Sequence, residues 1–254
     1  MGAIDSAINK LRDLIASGEL SPGERLPPEP ELASLVGVSR NTLREAVRAL
    51  IQANVLDVRR GDGTYVTSLE PHLLLSGLSF VVDLMQDRTL VELVEVRRLL
   101  EPAATALAAT RIDDATVDAV RASLERMKHA ATTEELVAED VEFHRLVTRA
   151  SGNATLESLI DALNHRTTKA RIWRAISGGG VKAWTLEQHS LIVEALANRD
   201  PALARAAATI LVARSEHWVR HLVDETGLTP PISILPEAVP PKRAAQRRAR
   251  RQAG

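Results

Sequence analysis

The sequence predicts a mainly α protein in two parts: a small N-terminal module of three short helices and a β-hairpin, then a longer run of amphipathic helices. Three observations lead there. Hydrophobic residues make up 45% of the 254-residue chain but aromatics only 2%, and with Ala and Leu abundant this favours helices over sheets. Apolar residues recur at helical spacing in most of the chain, while strand-like alternation is found at residues 55–67. Gly61-Asp62-Gly63 interrupts that alternation as a turn.

Taken in order, Ile4, Ile8, Leu11 and Leu14/Ile15 mark the apolar stripe of a first helix over residues 4–17, ended by Gly18. Ser21-Pro22-Gly23-Glu24-Arg25-Leu26-Pro27-Pro28 is turn material. A second helix is expected from Glu29 to Leu35. Gly37 then supplies the positive φ of a tight turn, and Ser39 caps a third helix running to Ala53, with Leu43, Val47 and Leu50 on one face. Asn54 suits a left-handed terminator. Residues 55–60 and 64–67 form the hairpin, and this order of elements is the plan of a winged helix-turn-helix. From Leu73 to Gly227 the pattern is helical, with breaks near Arg88, Asp113, Thr132, Gly152, Gly178–Gly180 and Asn198–Pro201. The tail from Thr229 is Pro-rich and then basic, a composition that favours disorder.

Composition also excludes. Without Cys there is no disulfide framework and no thiolate metal site. No signal peptide and no bilayer-length apolar run are found, so a cytoplasmic address is expected and no membrane partner. Net charge is −1, and residues 1–68 hold eight Lys/Arg against nine Asp/Glu, so a case for nucleic acid rests on where the charges sit. Arg40, Arg44 and Arg48 form one stripe at i, i+4, i+8 along the third helix. In a helix-turn-helix that helix enters the major groove, where an Arg fork matches guanine O6 and N7. Asn41 and Thr42 suit bases or phosphates, and Arg59, Arg60 and Gly61 at the hairpin tip could enter the adjacent minor groove.

Residues 5–67 resemble the GntR family of bacterial regulators, through Gly18-Glu19-Leu20-Ser21-Pro22-Gly23-Glu24-Arg25-Leu26-Pro27-Pro28-Glu29, Gly37-Val38-Ser39-Arg40-Asn41-Thr42-Leu43-Arg44-Glu45-Ala46 and Arg60-Gly61-Asp62-Gly63-Thr64-Tyr65-Val66. The resemblance implies that Ser39, Arg40, Asn41, Thr42, Arg44, Arg60 and Gly61 hold DNA-contact positions. Pro30 stands where some members carry a further DNA-touching Arg. Leu93–Ala104, Asp140-Val141-Glu142-Phe143-His144 and Glu187-Gln188-His189 resemble the C-terminal, FCD-type domain of the FadR branch. That implies an all-helical antiparallel bundle with a cavity for a small effector, commonly a carboxylate, and often a divalent metal. It implies three segments: 1–68 for DNA, 69–228 for effector binding and dimerisation, and 229–254 as tail. It also implies a homodimer on a palindromic operator with a GT…AC core, and repression relieved by ligand.

Two features of the second part bear on chemistry. Arg97 falls on the apolar stripe of Leu93, Leu100 and Ala104, and a buried guanidinium needs a partner. Either it pairs with a carboxylate such as Glu101 or Asp140, or it receives an effector carboxylate. Asp140 and His144 share an apolar face at i, i+4, and His189 lies on another; such a set suits Zn²⁺, Ni²⁺ or Mn²⁺. The family pattern implies a fourth ligand at residue 211, which is Leu here. His217 and His221 lie roughly 120° and 80° around that helix from Leu211, so neither replaces it easily. Two alternatives to a regulator are a helical-bundle metalloenzyme built on Asp140, His144 and His189, and an architectural DNA binder without effector. Gly178-Gly179-Gly180 lacks the Lys and strand-to-helix setting of a phosphate loop.

Overall fold

A computed structural model describes residues 2–84, 89–164 and 181–226; the breaks expected near Arg88 and at Gly178–Gly180, and the tail, lie outside these residues. The chain divides into two compact units, residues 1–81 and 82–254.

The N-terminal unit opens with α1 (Ala3–Ala16). The expected stripe packs inward at Ile8, Leu11, Leu14 and Ile15, but Ile4 is 43% exposed and Ala7 is buried in addition. A methyl side chain suits the contact that α1 makes with α3. Helix α2 (Glu29–Val36) follows Pro27-Pro28 and takes Pro30 in its first turn, where a missing N–H breaks no helical bond. Gly37 adopts φ 69°, ending α2, and Lys10 Nζ donates to Val36 O at 2.7 Å. Ser39 Oγ accepts the Thr42 N–H at 3.1 Å and so caps α3 (Arg40–Gln52), whose Leu43, Ala46 and Leu50 are buried. Asn54, at φ 56°, turns the chain out of the helix as expected.

Strands β1 (Leu56–Arg59) and β2 (Gly63–Val66) pair antiparallel with Leu56 opposite Val66 and Arg59 opposite Gly63. The segment before α2 is stitched to β2: Gly23 donates to Val66 O, Val66 to Glu24 O and Leu26 to Thr64 O, at 2.8–2.9 Å. Arg25 therefore crosses the hairpin. A Cβ on Gly63 would lie 2.6 Å from Arg25 Nε, and its φ of 149° further favours glycine. Two short helices follow, α4 (Pro71–Leu74) and α5 (Ser76–Leu84).

The second unit contains α6 (Thr89–Arg111), α7 (Asp114–His129), α8 (Thr133–Ala150), α9 (154–164), α10 (Val181–Ala197) and α11 (Pro201–Thr226). The breaks read from sequence at Asp113 and Thr132 are N-caps, accepting from Thr116 N at 2.7 Å and Glu135 N at 3.1 Å. Arg199 turns left-handed at φ 55°, and Asp200 Oδ1 accepts the Ala202 and Leu203 N–H groups at the start of α11. Helices α6 and α11 run antiparallel, bridged by Arg98–Glu216 at 3.1 Å and by Arg220–Glu95. The core gathers Val120, Met127, Phe143, Ile192, Leu196, Ala204 and Leu211 from α7, α8, α10 and α11.

Candidate DNA-reading face and buried polar centre

Helix α3 turns Leu43, Ala46 and Leu50 inward and leaves Arg40, Asn41, Arg44 and Arg48 exposed, as the residue spacing requires. Ser39 is exposed and Thr42 half-buried; the two hydroxyls lie 2.8 Å apart. The arginines are not bare. Arg48 pairs with Glu45 of its own helix at 2.8 Å, and Arg44 pairs through Nε with Glu29 of α2 at 3.0 Å. Nothing in the sequence reading anticipated Glu29. It is fifteen positions from Arg44, and only the crossing of α2 and α3 brings the two together.

At the hairpin, Arg60 and Gly61 are exposed and Gly61 takes φ 76°. Arg59 does not extend from the tip. Its guanidinium stacks on Tyr65, 3.9 Å from the ring centroid. Tyr65 Oη donates to Asp62 at 2.7 Å, a bond that holds the phenol above its ordinary pKa, with burial and the Asp62 charge adding to it.

In the second unit, Arg97 is 3% exposed, and its Nε donates to Glu101 Oε1 at 2.6 Å one helical turn along α6. Of the two carboxylates considered for Arg97, it is thus Glu101 that takes the hydrogen bond. The other Glu101 oxygen faces His144 Nδ1 at 3.7 Å. His144 Nε2 and His189 Nε2 approach Asp140 Oδ1 at 3.8 and 3.1 Å. Ligand atoms of Asp140, His144 and His189 all lie within 4.8 Å of one another. Phe143 closes one side, its ring centroid 4.4 Å from that of His189.

The proton positions follow from the partners. His189 Nδ1 lies 2.7 Å from the Thr185 carbonyl, which can only accept, so Nδ1 carries the proton. In the neutral ring Nε2 then bears a lone pair. That atom is fully buried and takes no hydrogen bond of its own, with the Asp140 carboxylate oxygen, an acceptor, 3.1 Å away. A cation or a proton between them would satisfy Nε2. Burial pushes the Asp140 carboxyl up, but His144, His189 and Arg97 outweigh it and hold it below the usual carboxylate range. Burial pushes His144 down, more than the Asp140 and Glu101 charges raise it. Leu211 is 5% exposed and packed in the core, while His217 and His221 are exposed on α11, so no fourth imidazole is supplied from those positions.

The chain matches two family models: bacterial regulatory proteins of the gntR family over residues 3–66, and the FCD domain over residues 92–214. It is 31% identical over 201 residues to the HTH-type transcriptional regulator LutR of Bacillus subtilis (strain 168), covering 76% of this chain and 90% of the relative. It is 27% identical over 224 residues to the galactonate operon transcriptional repressor of Escherichia coli (strain K12), covering 86% and 97%. Among solved structures, Streptococcus agalactiae GntR superposes with a TM-score of 0.64 at 30% identity, covering 85% of this chain and 99% of that one. These matches are to transcription regulators, and the metalloenzyme alternative falls with them. The chain belongs to the GntR family of bacterial transcription regulators, in the FadR-type branch that carries an FCD domain.

Proposed function

We propose that the protein is a sequence-specific repressor, acting as a cytoplasmic homodimer on a palindromic operator and released from it by a small carboxylate. In this reading residues 1–68 bind DNA and residues 69–228 bind the effector and dimerise. Ser39, Arg40, Asn41, Thr42 and Arg44 serve the major groove, and Arg60 and Gly61 the backbone beside it. Two-fold symmetry doubles the few base contacts one helix can make. The repressor sense is supported by the printed name of the galactonate operon relative.

One observation carries the effector half: a guanidinium, two carboxylates and two imidazoles sit together in the core of the second unit, at Arg97, Glu101, Asp140, His144 and His189. A bundle that only held DNA-binding modules together would gain nothing by burying them. Glu101 holds Nε of Arg97, so the terminal Nη pair is the edge that would meet a carboxylate. The orphaned Nε2 of His189 and the donor set of Asp140, His144 and His189 fit a borderline divalent ion (Zn²⁺, Ni²⁺ or Mn²⁺). Such an ion would supply a Lewis-acidic seat for an effector oxygen. With Leu211 in the fourth position, these three residues would hold such an ion only partially, and water or effector oxygens would complete the set.

The test is footprinting on the promoter regions beside its own gene, with a panel of small carboxylates added. We expect a two-fold-symmetric footprint that one carboxylate abolishes in wild type and not in Arg97→Met. Arg44→Ala should weaken operator binding by about 1–3 kcal/mol. A lone asymmetric half-site bound at full affinity, or a footprint indifferent to every carboxylate, would refute the reading.

A further inference from the structure

Among the arginines of α3, Arg44 differs from Arg48. Arg48 is held by Glu45 on its own helix, with both side chains largely in water at 72% and 51% exposure. Arg44 is held by a residue of another helix. Glu29 Oε2 accepts from Nε at 3.0 Å, while Glu29 Oε1 is also 3.0 Å from Nε, buried, and without a hydrogen bond of its own. A solvated chance pair would leave both oxygens wet. Here one carboxylate oxygen forgoes water in order to face the guanidinium, a cost that calls for an explanation.

The guanidinium has two usable edges. With Nε taken by Glu29, the end-on Nη1/Nη2 fork remains as the second edge. That fork is the pair of donors that spans guanine O6 and N7. Glu29 lies in the first turn of α2, the end of a helix that attracts negative side chains. We propose that Glu29 is a positioning residue for base recognition: it fixes which edge of Arg44 faces DNA and so sets discrimination at the base pair Arg44 reads. This rests on the DNA-reading assignment of α3. A bland role predicts the opposite signature. A carboxylate near DNA repels phosphates, so removing a mere bystander would tighten binding to all sequences alike.

The experiment is selection from a duplex library with a randomised central segment, using the full-length protein. Wild type, Glu29→Ala, Glu29→Asp, Arg44→Ala and the Glu29→Ala/Arg44→Ala double variant are compared. Asp keeps the charge but is one methylene too short to reach Nε, so it separates positioning from repulsion. Wild type should enrich a symmetric sequence with one G·C pair that Arg44→Ala no longer selects. Glu29→Ala and Glu29→Asp should each lower preference at that same pair by roughly tenfold, leave the other positions unchanged, and add nothing to Arg44→Ala. The proposal is overturned if both Glu29 variants keep the preference, or if preference falls evenly at every position. Should wild type select no sequence, the DNA-reading assignment fails first and takes the proposal with it.

Discussion

Replacing Arg97 with Met removes the charge and keeps most of the aliphatic stem, so the change is electrostatic before it is steric. Glu101 is then left as a carboxylate at 5% side-chain exposure, sharing its surroundings with Asp140 through His144. Breaking a buried pair by deleting one partner typically costs about 3–5 kcal/mol. With the two side chains at 4% and 5% exposure, little solvent screening reduces that figure. Replacing both partners, Arg97→Met with Glu101→Leu, removes the buried carboxylate together with its guanidinium. It should bring stability back to within about 1 kcal/mol of wild type or above it. Urea denaturation followed by tryptophan fluorescence reads the right unit, because all three tryptophans (Trp173, Trp184 and Trp218) belong to residues 82–254. A single variant within about 1 kcal/mol of wild type, or a double variant that merely sums two losses, would show that the pair is not held as described. The folded double variant also serves as an effector-blind control.

Leu211→His restores an imidazole at a buried position of α11 and should raise Zn²⁺ affinity by about tenfold or more, since losing even a metal ligand's outer partner costs that much. Calorimetric titration decides it, and a wild type that keeps one equivalent through chelation would overturn the three-ligand reading. Tyr65 is the one tyrosine in the chain, so phenolate absorbance follows it directly. Asp62→Ala should bring its titration back down towards the ordinary value of about 10. Because the folded phenol is raised, the stability it contributes is complete below that ordinary value and lost as pH climbs through the folded one. An unchanged titration curve would remove Asp62 as the cause.

Much of this was legible because local chemistry is written locally. Ser39, Asp113 and Thr132 cap helices within three residues of themselves, and Gly37 and Asn54 take the left-handed turns that few other residues tolerate. Asp140 and His144 share an apolar face at i, i+4 and His189 lies on another, and the family resemblance joins the three into one set and points to residue 211. What escaped is tertiary. Ile4 looked like core, yet α1 presents Ala7 to the interior, and periodicity cannot rank two neighbouring faces of one helix. Arg97 had two carboxylates in prospect, and packing chose between them. Glu29 carries no mark in sequence that ties it to Arg44, since the contact exists only once α2 and α3 cross.

The three main-chain bonds that stitch residues 23–26 onto β2 also act as a gauge. The same short segment runs through Pro27-Pro28, whose ring-locked φ angles allow little play, directly into Glu29 and from there to Arg44. Strand β2 and the third helix are thus both tied to this one segment. If Arg44 and Gly61 both meet DNA as proposed, the spacing between them would be set inside the protein like the opening of a calliper, and DNA of a different local pitch would have to adjust its own twist to fit between the jaws.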